Sequence, residues 1–336
     1  MGSPSMADLR EAKKEVWNRL FSRAVNAHSN VKGRRSIKHC TDTPLNIVGV
    51  SIGYKQADGL DSPIRCVRVL VRKKIPKSKL PRSTKVLLKY DGIESDVEEV
   101  GNIRFAANSC AIPASRQPRP SACGVSVSGG DLSSGSLGYV IRKKGSSKRY
   151  LLSNYHVFYP LQDSTTNLDI YQPGSTDEAV HLNNRIGTAV DGTPIRLCSD
   201  GSILTNRMDA AIAEVIPNTV RSELCTVGKL QKGISTLKLS TNVWMFGKSS
   251  RSVWGVVNNV NLDAIIPIGS TCAVFSNQVY IAPISQRRFG KKGDSGSIVI
   301  NNDRYACGLF FAIDGKGGGY ATPISRVLKK FNAVID

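Results

Sequence analysis

Histidine is scarce in this chain, four in 336 residues. Chemistry that needs an imidazole can draw only on His28, His39, His156 and His181. No apolar run reaches the ~18 residues of a membrane span, so no transmembrane segment is expected. The N-terminus also lacks the charged, apolar, small-residue order of a secretory leader, because Asp8, Arg10, Glu11, Lys13, Lys14 and Glu15 interrupt any apolar core. Met1 to Ser5, ahead of Met6, reads as an expression scar. None of the eight cysteines forms a Cys-x-x-Cys pair, which speaks against a zinc site. Scattered through a chain of this length, they read as reduced, buried thiols and suggest a cytoplasmic protein.

Acidic residues are few for the number of bases, 26 against 46, leaving a formal net charge of +20. Up to Arg104 there are 21 Lys and Arg against 11 Asp and Glu, so this first third carries half the excess. Such a surface suits nucleic acid, an acidic substrate, an anionic lipid surface or an activating protein partner bound through the basic N-terminal region. Without interleaved aromatic residues, nucleic acid is the minority reading.

What the chain does contain is Gly293-Asp294-Ser295-Gly296-Ser297, followed by the apolar Ile298-Val299-Ile300. A serine on a tight glycine turn can be approached closely by a substrate backbone. The N–H groups of Gly293 and Ser295 are then candidates for an oxyanion hole. A hydroxyl needs a positioned base to become a nucleophile. His156 qualifies because it lies where the apolar run beginning at Tyr150 breaks, whereas His28 and His39 lie in basic sequence and His181 in a polar loop. Asp209, just before Ala210-Ala211-Ile212-Ala213, is the carboxylate that would orient the imidazole. Taken singly, each has a plainer role: a hairpin turn, a structural histidine, a turn-capping acid.

The order His156, Asp209, Ser295 resembles that of the chymotrypsin/trypsin-like serine peptidases. Leu152 to Val157, Tyr171 to Gly174, Met208 to Ala213 and Gly293 to Ser297 are similar to windows of intracellular bacterial members. The resemblance spans about Pro118 to the C-terminus. It implies two six-stranded β-barrels with the triad between them, a protein substrate, no cofactor and, by analogy, a regulated peptidase that processes a companion protein, sometimes in antiviral defence. It also implies a substrate pocket at Phe289, Phe310, Phe311 and Ala312, with Asp314 close by in sequence. Secreted relatives pair a freed N-terminus with the acid before the serine. No Ile-Val-Gly-Gly start occurs here, so Asp294 has to be satisfied otherwise, or the enzyme waits for an activating partner.

The expected architecture is mainly β: a chymotrypsin-like double β-barrel preceded by an N-terminal helix and a small strand-rich module. Residues 1–45 would be a helix over about Ala7 to His28 followed by a basic linker. Residues 46–112 would form a small α/β or β module. Residues 113–336 would be the peptidase domain, with short strands, among them Tyr150 to Phe158, Arg185 to Val190, Ala210 to Ile216, Val253 to Val260 and Ser297 to Asn301, separated by Gly, Asn, Ser and Pro turns, and a closing helix within Pro323 to Ala333. Three functions compete: serine endopeptidase, a peptidase-like interaction module with an idle or partner-gated triad, and a basic nucleic-acid-associated protein.

Overall fold

The computed structural model describes residues 4–29, 46–57, 60–80, 85–101, 103–105, 116–161, 167–179, 182–198, 204–284 and 287–336. The linker expected over Asn30 to Pro44, together with His39, His181, Cys40 and Cys110, lies outside them.

Six antiparallel strands close the second barrel. Asn242–Gly247 pairs with Arg251–Ile268, which pairs with Thr271–Pro283. The ring continues through Gly319–Pro323, Ala306–Ile313 and Ile298–Asn301 back to Asn242–Gly247. Alternation of side chains decides what fills it. Val243 and Met245 are buried while Trp244, between them, lies outside and stacks on Trp254 with centroids 4.9 Å apart.

The first barrel runs through Tyr139–Lys143, Arg149–Ser153, Ala211–Val215, Arg185–Gly192, Asp169–Tyr171 and Ser126–Gly129. It closes because Gly135–Ser136, which pairs with Ser126–Gly129, continues directly into Tyr139–Lys143. The junction is held by Leu137 N–H to Val125 O at 2.8 Å and Gly138 N–H to Leu152 O at 2.9 Å. Leu151, Ile170, Ile186 and Ile212 are fully buried in its core. The chain is thus mainly β, a chymotrypsin-like double β-barrel.

The N-terminal helix, Met6–Ser29, buries Leu9, Ala12, Val16 and Leu20 against Val50, Ile52, Val67 and Val69. These contacts lie within the chain. Strands Ile47–Ala57 and Leu60–Val71 extend the second barrel's sheet, Gly49 opposite Ala264 and Val50 opposite Asp263. The Arg251–Ile268 strand is therefore far longer than the expected Val253 to Val260. Asn258, Asn259 and Asp263 mask it in the sequence, but each is paired: Asn258 accepts from Arg68, Asn259 donates to Ser51 Oγ, and Asp263 meets Lys13 at 3.0 Å.

Three further differences have local causes. The strand expected from Tyr150 to Phe158 stops at Ser153, and Tyr155–Phe158 is a single helical turn. The closing helix is Ile324–Lys330, after which Ala333–Ile335 adds a strand to Tyr139–Lys143. The cysteines are not all reduced thiols, because Cys198 and Cys272 form a disulfide across 74 residues of sequence. Spacing could not reveal that pair, since the fold alone brings the segments together. Cys66, Cys123 and Cys307 are buried and free, and burial pushes the Cys66 thiol up to about 12. Among the described residues no helix is long and apolar enough to cross a membrane.

Candidate active site

Asp209 enters from the end of a buried segment whose next four residues, Ala210 to Ala213, are fully buried. Its carboxylate is wholly enclosed and makes three contacts. Oδ1 accepts the backbone N–H of Tyr155 at 2.6 Å and of His156 at 3.3 Å, while Oδ2 meets His156 Nδ1. The acid thereby caps the helical turn that carries the histidine and also fixes its ring. With Nδ1 engaged as donor, the neutral imidazole presents Nε2 as its acceptor. Asn154 Nδ2 donates to the Asp209 carbonyl at 2.7 Å, tying the two segments together a second time.

Ser295 lies at the head of the Ile298–Asn301 strand in a pair of turns. Asp294 N–H donates to Lys291 O at 3.1 Å and Ser297 N–H to Asp294 O at 3.0 Å. Gly293 and Gly296 flank the serine with φ of +94° and +93°, a region that side chains disfavour. Ser295 is 1 % exposed, and its hydroxyl lies 3.4 Å from the Phe311 carbonyl. Among the described residues the N–H groups of Gly293 and Ser295 have no acceptor.

The turn that carries Ser295 and the histidine segment are pressed together across the two barrels. A methyl group on Gly135 would come within 2.4 Å of Val157 Cγ2 and 2.7 Å of Ser295 O. One on Gly296 would meet Ser153 Oγ at 2.1 Å and Ser136 O at 2.4 Å. The stretch from Ser153 to Val157, which includes His156, therefore abuts the backbone around Ser295.

Asp294 needs no free N-terminus. Its Oδ1 accepts Ser249 N–H at 2.9 Å and Ser250 N–H at 3.0 Å, and Oδ2 accepts Lys291 N–H at 2.7 Å. Complete burial raises its carboxyl above the ordinary range, and the bonds from Ser250, Lys291 and Ser249 pull the other way.

The four residues expected at the substrate pocket are fully buried. Phe289 and Phe310 pack edge to face with centroids 6.2 Å apart in the second barrel's core, and Phe311 packs on Phe275 at 5.0 Å. Their rings fill the core and do not floor an open cavity, which leaves backbone groups such as the Phe311 carbonyl as what this strand shows the serine. Asp314 folds back on its own hairpin, its Oδ1 accepting Lys316 and Gly318 N–H at 2.9 Å each. A cavity of about 670 Å³ lined by Arg142, Lys232, Leu328 and Val334 contains none of His156, Asp209 and Ser295.

Ser136, Asp177 and Lys248 adjoin the site and carried no sequence signal of their own. The one local hint is Gly135-Ser136-Leu137-Gly138, whose two glycines both abut the turn that carries Ser295, Gly138 facing Gly296 O.

No protein-family model and no curated protein matches this sequence. Solved structures to which it is similar include a glutamic acid specific serine protease that utilizes a novel histidine triad in substrate binding, at 17 % identity and TM-score 0.46, covering 64 % of this chain and 100 % of that one. Protease A of Thermobifida fusca is similar at 16 % identity and TM-score 0.43, covering 63 % and 97 %. The chymotrypsin of Cellulomonas bogoriensis is similar at 13 % identity and TM-score 0.43, covering 64 % and 97 %. The chain is thus similar, at low identity, to serine proteases, and the closed strand circuits described above define its fold independently.

Proposed function

We propose that the chain is a serine endopeptidase working through an acyl-enzyme. Ser295 Oγ attacks the scissile carbonyl, His156 takes the proton and returns it to the leaving amine, and Asp209 holds the imidazole tautomer. The Gly293 and Ser295 N–H groups stabilise the oxyanion. The observation that carries this reading is the enclosed Asp209 carboxylate, which spends one oxygen on the turn bearing His156 and the other on its ring. A plain capping acid would not need the imidazole. A fluorophosphonate should label wild type and fail to label Ser295→Ala or His156→Ala; equal labelling of wild type and Ser295→Ala ends the reading.

The near-complete burial of Ser295 favours a second reading in which a partner gates the triad. Wild type alone would then resist the probe and become reactive on adding lysate. A companion-protein substrate and a role in bacterial defence follow from the resemblance alone, and trapping with Ser295→Ala in lysate tests them. The cytoplasmic placement has lost its ground in reduced thiols, because the Cys198–Cys272 bond fits an oxidising compartment better.

A further inference from the structure

The hydroxyl of Ser136 is a junction of the two barrels. It donates to Gly293 O at 2.9 Å and accepts the N–H of Lys248 at 2.9 Å, so its only proton and one of its lone pairs are committed. The Ser136 backbone N–H donates to Ser295 O at 2.7 Å, and its carbonyl accepts Ser153 Oγ–H at 2.8 Å. One fully buried residue of the first barrel thus grips the carbonyls on both sides of Asp294 and is tied to the strand that leads to His156.

Lys248 completes the arrangement from the second barrel. The end of its side chain stands over Gly293, with Cε 2.6 Å and Ser249 Oγ 2.5 Å from where a β-carbon would stand. Its ammonium pairs at 2.5 Å with Asp177 of the first barrel, both side chains largely buried, and Asp177 also contacts Ser126 Oγ. Ser249 and Ser250, next in the chain, supply the N–H groups that Asp294 accepts.

These contacts hold the peptide that follows Gly293, next to the one that carries its N–H. The Asp294 N–H to Lys291 O bond makes Lys292 and Gly293 the central residues of a β-turn, and φ of +94° at Gly293 is the type II form. Type I and type II turns differ by rotation of the central peptide, here the one that carries the Gly293 N–H. In the type I form that N–H would turn away from the place where an oxyanion develops beside Ser295.

We infer that Ser136, with Lys248 and Asp177 behind it, is a positioning device that anchors Gly293 and the peptide after it against the first barrel, and so fixes where the Gly293 N–H of the type II turn stands relative to the reacting carbonyl. This rests on the serine-peptidase reading. None of the three touches the substrate; Ser136 acts through Gly293 O, and the Lys248–Asp177 pair acts by pinning the stem that covers Gly293.

The test is the kinetics of phosphonylation by a fluorophosphonate, separating the limiting rate from the half-saturating probe concentration, with a melting curve for each variant. Ser136→Ala should lower the limiting rate by roughly 10- to 100-fold, short of the ~10²–10³ for complete loss of one oxyanion donor, at little-changed half-saturation. Lys248→Met keeps the stem and the backbone N–H but loses the charge, and it should slow labelling several-fold, as should Asp177→Asn. A purely structural role would lower the melting temperature and leave the limiting rate of the folded enzyme alone. If Ser136→Ala does not fold, the Lys248 and Asp177 variants decide. Wild-type limiting rates in the folded variants overturn the inference alone, whereas a wild type inert to the probe, with and without lysate, removes the serine-peptidase reading and this inference with it.

Discussion

Asp209 holds His156 twice, through the ring nitrogen Nδ1 and through the backbone N–H. The carboxylate is therefore at once the cap of a four-residue helical turn and the partner of the imidazole that turn carries. The two roles are separable by substitution. Asp209→Asn keeps a carbonyl oxygen for the Tyr155 and His156 N–H groups but places an amide donor against Nδ1, which favours the wrong tautomer. Activity on a peptide ester should fall by roughly 10⁴ while far-UV circular dichroism stays that of wild type. Asp209→Ala should lose activity and also stability, because two buried donors are left without an acceptor.

Gly296 is fixed by two constraints and Gly145 by one. Both have positive φ, +93° and +73°, but a β-carbon at 296 would strike Ser153 and Ser136, while nothing lies within 4 Å of one at 145. Gly145→Ala should cost about 1–3 kcal/mol of backbone strain, and Gly296→Ala a further 1–3 kcal/mol or so of overpacking. Denaturant unfolding of the two variants measures the difference. Equal losses would mean that the turn can move off the first barrel freely.

Burial raises the Asp314 carboxyl above its ordinary 3.8, so the folded chain keeps that proton to a higher pH than the unfolded chain does. In the window from 3.8 up to the folded value the native state binds more protons, and the Asp314 contribution to stability falls as pH rises. Asp314→Asn preserves an oxygen for the Lys316 and Gly318 N–H groups and removes the titration. Its unfolding midpoint should fall less steeply than that of wild type above about pH 4. Parallel curves would place the charge in solvent.

The Cys198–Cys272 bond closes a long loop and joins the sheet on which the N-terminal helix packs. Replacing both with alanine should cost roughly 2–4 kcal/mol, and reductant should shift the unfolding of wild type by a similar amount and that of the double variant not at all. Unfolding of wild type that ignores reductant would show that the bond does not form.

Some strands are legible in the sequence and others are not. Short apolar stretches between turn residues mark Arg185–Gly192 and Ala211–Val215 of the first barrel and Ile298–Asn301 of the second within a few residues, because alternation of side chains is a local property. Ser126–Gly129 and Asp169–Tyr171 went unmarked, since strands of three or four residues rich in Ser and Asp carry no period. Arg251–Ile268 was cut short for the opposite reason, its polar residues being paired by the N-terminal segment far away in sequence.

Residue identity and order single out His156, Asp209 and Ser295 as the proposed triad, because a tight glycine turn, the end of an apolar run and an acid before a small apolar run each leave a local mark. Sequence could not say that Asp294 is satisfied by Ser249, Ser250 and Lys291, that Phe289 and Phe310 fill a core, or that Ser136 and Lys248 meet over Gly293. Apart from the bond from Lys291, three positions away, those relations join residues tens to more than a hundred positions apart, and only closure of the two barrels, by burying these groups together, determines which donors and acceptors meet.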